Sequence, residues 1–408
     1  MKKTFFVIAV LGFLAVNIYA EEFYFKYNKG DRYRILSTVH EEIYADHKLN
    51  HVSEILNRIA VEVTEASGDK GYHKAVFQTS ERILDSEEDI ESGSFISGGF
   101  YQWAREYESE FERDKLGRYT IDNKYFMPQV RDVPVLPGRA IVPGEKWVRP
   151  GYEVHDFRDN FGITEPYKIP FTADYEYLGE QIWKDKTFPA FSVNYQILFN
   201  GRPAPGKTAL RRIKGVSNQI VFWDLELGQP VAYKEDFHYT FELSNGRIFE
   251  YKGTAEAEII ESEFMDKEKL AEEITGEIGR LDIQDVTVRV ADEGIVISLD
   301  DIQFYPDSTE MLPGELEKLN KIIDILLQHQ ERDIMVAGHT ALAGTREGQQ
   351  RLSVQRAAVI ADYLITQKAR PPQRIVVHGF GADKPIAENS TEAGRRKNRR
   401  VEIILLEN

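Results

Sequence analysis

Cysteine is absent from all 408 residues. Its absence removes disulfides, thiolate metal sites and cysteine nucleophiles together. Long apolar runs are nearly absent too. The one run, residues 5–16, is twelve residues long, where about 20 are needed to cross a bilayer. No G-x-S-x-G, phosphate loop or dinucleotide-binding glycine fingerprint occurs, so no enzyme class is indicated. Cations are the minority charge, 51 against 67 acidic residues for a net −16. Such a balance argues against nucleic acid or anionic lipid as the main partner.

What is present begins with Lys2 and Lys3, the apolar run, and then Ala20 before Glu21 and Glu22. This order fits a secretory signal peptide over residues 1–20, with an uncleaved N-terminal anchor as the alternative. No cysteine follows the run, so a bacterial lipid anchor is not expected. The expected product is exported, periplasmic or associated with the outer membrane, and carries no membrane span.

From residue 22 to about 262 apolar residues recur with period two. Phe191, Val193, Tyr195, Ile197 and Phe199 alternate with mostly polar neighbours, as do Phe237, Tyr239, Phe241 and Leu243. Alternation puts one face in a core and the other in water, which predicts antiparallel sheet. Turn signals stand at Lys115-Leu116-Gly117, Asn200-Gly201 and Ser244-Asn245-Gly246. The region is expected to be all-β, an antiparallel sandwich or a half-barrel. Residues 128–150 hold five of the 16 prolines and read as a connector. It divides the region into β-rich stretches at 21–127 and 151–265, as two units or one.

Near residue 266 the period changes. A charged helix is expected at 266–278, then strands at 286–290 and 295–304, a helix at 313–330 and a strand at 334–337. A helix at 346–368 and strands at 374–380 and 400–406 complete the pattern. Strands alternating with helices predict an α/β sandwich over 266–408.

Several separated elements of this last segment stand in one order: Phe304 with Asp307-Ser308, Gly338-His339-Thr340, Leu352-Ser353 with Arg356-Ala357, Tyr363-Leu364, Gly379-Phe380-Gly381, Pro385, and the run from Gly394 to Glu402. Together they resemble the OmpA-like domain, named for outer-membrane protein A, which in many bacterial envelope proteins holds peptidoglycan without a covalent bond. The resemblance implies that an aspartate after Gly-His-Thr and the arginine of the Leu-Ser-x-x-Arg-Ala helix grip the diamino acid of the peptide stem. An asparagine seven residues before that arginine assists. In this sequence the arginine is kept as Arg356, the aspartate position is Ala341 and the asparagine position is Gln349. The candidate binding residues, with weakened polar contacts, are therefore Arg356, Gln349, Ala341, Leu352, Asp307 and His339.

On a helical wheel Leu352, Val359, Ile360 and Tyr363 form a stripe, with Arg356 inside it. A guanidinium there needs an acceptor, either Asp307, Asp300 or a carbonyl within the fold, or the carboxylate of a ligand. The run 395–400 has five cations in six residues; in an acidic exported chain, a structural role is favoured over nucleic-acid contact. His47 and His51 stand four apart with His40 near. No acidic residue lies between them as in a metalloprotease, so no metal is expected. The abundant Tyr and Phe of the β-rich part read as core and cross-strand pairs.

These features predict a non-catalytic envelope protein without cofactor or metal. Its C-terminal domain would meet the peptidoglycan stem peptide, and its β-rich region a second envelope protein or an apolar ligand. The alternative is an OmpA-like fold that has lost peptidoglycan binding through Ala341 and serves as an interaction module, with function carried by the β-rich region.

Overall fold

The structure is a computed structural model describing residues 20–85, 100–158, 166–201, 210–261, 265–300, 311, 313–330 and 332–407. The signal segment up to residue 19, and Phe304 and Asp307, lie outside the described residues. Among these no helix is long and apolar enough to cross a membrane.

Among the described residues the first part contains twelve strands: β1 (Arg32–Ala45), β2 (Lys48–Ser67), β3 (Lys70–Asp85), β4 (Tyr101–Asp114), β5 (Tyr119–Ile121), β6 (Val130–Arg131), β7 (Lys146–His155), β8 (Tyr167–Trp183), β9 (Lys186–Asn200), β10 (Leu210–Asp224), β11 (Gln229–Leu243) and β12 (Ile248–Glu261). They form one antiparallel sheet in the order β5-β4-β3-β2-β1-β12-β11-β10-β9-β8-β7-β6. A sandwich of two sheets is not what forms. Because β1 pairs with β12 along thirteen residues, the stretches before and after the connector share the sheet. The proline-rich segment joins its strands without dividing it.

The two edge strands, β5 and β6, are neighbours in sequence, so the sheet must roll until its edges approach. Side chains bridge the seam: Tyr119 N–H donates to Asp132 Oδ1 at 2.7 Å, and Ser109 Oγ donates to the Met127 carbonyl at 2.7 Å. No ladder pairing joins β5 to β6 among the described residues, so the roll stays open. Register shifts at Ile43/Tyr44, Tyr177/Gly179 and Phe222/Trp223 bend the long strands, as bulges do. At one of them Gly179 takes φ +74°, a conformation favourable to glycine.

The turns match the sequence signals in part. Gly117 and Gly246 adopt positive φ between adjacent strands. Asn200-Gly201 ends β9, and residues 202–209 lie outside the described residues. Two further hairpins turn at Asp46-His47 and Lys184-Asp185, with positive φ at both central residues and no glycine, the geometry that matches strand twist. His47 is thus a turn residue, its Nδ1 2.9 Å from Glu250 Oε1. No group of three or more potential metal ligands assembles among the described residues.

The second part starts with helix α1 (Lys267–Arg280), capped by Asp266 Oδ1 accepting from Lys269 N–H. Strands β13 (Val286–Ala291), β14 (Gly294–Asp300), β15 (Ile334–Gly338), β16 (Ile375–Gly379) and β17 (Arg400–Leu406) form a sheet ordered β13-β14-β17-β15-β16, with β15 and β16 parallel. Helices α2 (Pro313–Leu326) and α3 (Arg346–Thr366) cover one face together with α1. A short helix α4 (Glu392–Asn398), not anticipated from the sequence, leads into β17. Every residue of β17 is buried, which explains why its apolar residues run on without alternating.

The two sheets meet. Val376 and Val377 of β16 pair in parallel with Tyr101 and Gln102 of β4, and Trp103 packs on the sheet face opposite the helices. Below this pairing Asp333 is buried between the halves. Arg58 Nε donates to its Oδ2 at 2.6 Å and Arg374 Nε to its Oδ1 at 2.7 Å. Arg58 also donates to the Gln373 carbonyl at 3.0 Å. Burial pushes the Asp333 carboxyl up, yet the two guanidinium groups outweigh it and hold it below its usual range.

Removing one partner of a buried pair typically costs about 3–5 kcal/mol, because the other charge is stranded. Asp333→Asn is therefore expected to lower the stability of the junction by about that amount, read by thermal melting and by new protease cleavage between the halves. A carboxyl held low contributes stability that is present above its unfolded value, about 3.9. The junction should hold from neutral pH down to that point and weaken as acid titrates Asp333. A variant that melts like the wild type at pH 7 would show that the clamp contributes nothing net.

Candidate functional site

At the C-terminal ends of β15 and β16 two glycines let helix α3 press onto the sheet. A Cβ on Gly338 would stand 2.0 Å from the Ser353 carbonyl oxygen, and one on Gly379 would meet Ser353 Oγ at 2.5 Å. Ser353, fully buried, ties the helix to the neighbouring loop. Its Oγ donates to the Gln350 carbonyl at 2.8 Å and accepts from Gly381 N–H at 3.0 Å. The loop after β15 is held from the other side by Thr340 N–H donating to the Gly381 carbonyl at 2.8 Å.

Asn398 at the end of α4 locks the second loop. Its Oδ1 accepts from Ile386 and Ala387 N–H at 2.9 and 3.0 Å, and its Nδ2 donates to Asn389 Oδ1 at 2.9 Å. The same Asn389 oxygen accepts from Leu342 N–H at 3.1 Å, so the two loops are one hydrogen-bonded unit. The motif residues Ser353 and Asn398 were visible in sequence, but their role as loop anchors was not. Asn389 carried no signal.

Ala341 sits in this unit, 5 % exposed. The next loop residues lead into the Thr345 cap of α3, where Thr345 accepts from Gly348 N–H. Gln349 is buried and spends its amide on the loop itself, donating to the carbonyls of Ala343 at 3.0 Å and Gly344 at 3.4 Å. Gln349, Leu352 and Arg356 follow one another along one side of α3, at spacings that place side chains over each other.

Arg356 is half-buried and engaged within the chain. The expected apolar stripe around it needs correction. The face of α3 against the sheet is Gln349, Ser353, Ala357, Ala358, Ile360, Ala361 and Leu364, chosen for smallness where the glycine strands come close. Of the predicted stripe only Ile360 is fully buried. Leu352, Val359 and Tyr363 lie on the shoulder with Arg356, and Tyr363 O–H donates to Asn320 of α2 at 2.7 Å.

His339 faces inward. It is 1 % exposed and stacks on Phe380, centroids 5.1 Å apart. Its Nε2 lies 3.3 Å from Glu402 Oε2. Burial lowers the imidazole's pKa against the opposing pull of Glu402, and the ring packs on Phe380 as an aromatic. The cationic run is also consumed locally. Arg395 and Arg399 pair with Glu392, and buried Arg400 pairs with Glu402 at 2.9 Å. The structure thus unites Ala341, Gln349, Leu352 and Arg356 around one loop and helix, while His339 lies behind them.

A family model described as the OmpA family matches residues 303–399. The outer-membrane lipoprotein YfiB of Pseudomonas aeruginosa is 32 % identical over 124 residues, 30 % of this chain and 73 % of that protein. The chain belongs to the OmpA family. Peptidoglycan-binding protein ArfA of Mycobacterium tuberculosis is 36 % identical over 104 residues, 26 % of this chain and 32 % of ArfA. The chain thus spans about a third of the length of that curated relative. Among solved structures, an outer membrane protein from Borrelia burgdorferi B31 is 36 % identical, covering 30 % of this chain and 96 % of that one at a TM-score of 0.25. The OmpA match leaves the rolled β-sheet outside it.

The OmpA-domain loops depend on the contact between Gly338 and α3. Gly338→Ala would set its Cβ against backbone, which cannot rotate away. Overpacking of this kind costs about 1–3 kcal/mol, and chemical denaturation should show a loss in that range. A loss under about 0.5 kcal/mol would mean that the helix has slack to yield.

Proposed function

We propose that the OmpA-family domain associates non-catalytically with peptidoglycan in the cell envelope, in the periplasm or at the outer membrane. Retention of Arg356 on the helix that follows the 339–345 loop carries this reading, because a guanidinium fork suits the carboxylate of a peptide stem. Relatives such as ArfA are named for peptidoglycan binding. The rolled sheet serves a second partner, an envelope protein or an apolar ligand. Residues 266–408 are the wall-facing domain and residues 21–265 the partner-facing one.

A weakened grip on the stem is favoured by two observations. Ala341 offers no charge for the amine of a diamino acid, and Gln349 is occupied by its own loop. A lost charge-assisted hydrogen bond is worth about 1.5–3 kcal/mol, roughly ten- to a hundredfold in affinity. Calorimetric titration with stem peptide should show Ala341→Asp binding tighter than wild type by that factor, and Arg356→Ala binding not at all. Retention on purified sacculi should follow the same order. If Ala341→Asp gains nothing and Arg356→Ala only lowers the melting temperature, Arg356 serves the fold and the domain is an interaction module.

A further inference from the structure

Inside the rolled sheet lies a cavity of about 1000 Å³, lined by inward residues of β1 to β6 and of β7, β10, β11 and β12. Its size matches the upper end of small-molecule pockets. The space exists because one wall is built from small side chains. Ala255 and Ala257 of β12 and Ser37 of β1 face inward at pairing positions where β11 presents Tyr233 and Glu235. Aromatic residues line the rest of the lumen, Tyr33, Phe237 and Tyr251 on these same strands and Phe77 on β3.

Carboxylates stand in this aromatic lumen without cationic partners. Glu41, Glu81 and Glu235 all line it, and none makes an ion pair among the described residues. Ser53 Oγ donates to Glu81 Oε1 at 2.7 Å. Ser217 Oγ donates to Glu235 Oε1 at 2.6 Å and Gln219 Nε2 to the same oxygen at 3.3 Å. Glu235 Oε2 makes no hydrogen bond among the described residues. Glu81 and Glu235 are on one cross-strand row, Glu81 opposite Ile55, Ile55 opposite Val39, Val39 opposite Ala255 and Ala255 opposite Glu235. The lumen cations are occupied elsewhere: Lys26 donates to the Leu225 and Glu226 carbonyls, and His155 faces Glu153. Arg105 pairs with Asp156 at 2.9 Å, and Arg113 lies over the Phe25 ring while donating to the Gly117 and Val133 carbonyls.

The three carboxylates are half-buried; drawing them from water without a counter-charge is unfavourable, and the cost shows in Glu41. Burial, reinforced by Glu81, raises its pKa to about 7. Burial raises that of Glu235 as well. A cationic guest would relieve this, and aromatic faces attract the same charge. We infer that the rolled sheet is a binding cup for a small amphipathic organic cation, its ammonium head beside Glu235 and Glu41 and its apolar body along the aromatic wall. The inference rests on the reading that the β-rich region has its own partner, and names that partner's chemistry.

The test uses the full chain and three single-chain probes below their micelle concentrations: dodecyltrimethylammonium, dodecanol and dodecanoate. Calorimetry should show one dodecyltrimethylammonium bound per chain, with the melting temperature raised, and dodecanoate excluded. Glu235→Gln and Glu41→Gln should each weaken the cation roughly ten- to a hundredfold and leave dodecanol unchanged. Ala257→Phe should block every probe; where it melts early, Ala255→Val reports the same loss of space in milder form. Retention on sacculi is measured alongside and should be equal in all these variants, so failure of wall association is read separately. Dodecanol binding as tightly as the cation, glutamine variants binding the cation like wild type, or a folded wild type binding no probe would each overturn the inference.

Discussion

One carboxylate holds the two halves of the molecule in register. Asp333 is reached by Arg58 from the rolled sheet and by Arg374 from its own domain, at a depth where water does not screen the interaction. The surroundings are crowded with positive charge. Arg34 is buried nearby, and that burial lowers its pKa to about 10, with neighbouring arginines adding to the effect. A single anion amid these guanidinium groups cannot be exchanged for a neutral group without leaving several cations facing each other. The β4–β16 pairing and the Trp103 packing add short contacts at the same junction.

The rolled sheet obeys a different constraint. Strands of fourteen to twenty residues exceed the usual length of about five or six. They bury their inner face only by curling, since no second sheet covers it. At one end aromatic residues of β8 and β9, with Leu136 and Ile141, fill the interior. Where β12 contributes alanines they do not, and a lumen remains. Core and cavity are thus two ends of one surface, separated by side-chain size.

Much of this was legible in the sequence, and what was not has physical causes. The strands of the OmpA domain and helices α1 to α3 follow their periodicity within a few residues. Helix α4 escaped because seven residues rich in cations carry no apolar period. Alternation in Phe237, Tyr239 and Phe241 correctly gave an inward face, but alternation cannot say whether that face meets another sheet or a space. The wheel drawn for α3 weighted large apolar residues, whereas the buried face is small because Gly338 and Gly379 bring the strand backbones close. At the candidate site Ala341 and Gln349 were readable as departures from the family pattern. That Gln349 caps carbonyls of its own loop depends on the path of residues 341–345, which no spacing rule encodes.

Strand β4 belongs to both sheets. Tyr101 and Gln102 extend the OmpA-domain sheet while Gln102 and the residues after it run in the roll, so no floating tether lies between the two bodies at this point. A flexible linker would let a cup sample a wide volume around its attachment, with the concentration of its contents averaged over that volume. A shared strand makes it a bracket. Whatever the lumen holds stands at a set height and heading above whatever surface the 339–345 loop meets, as a fixture on a post does, and its orientation is inherited from that surface.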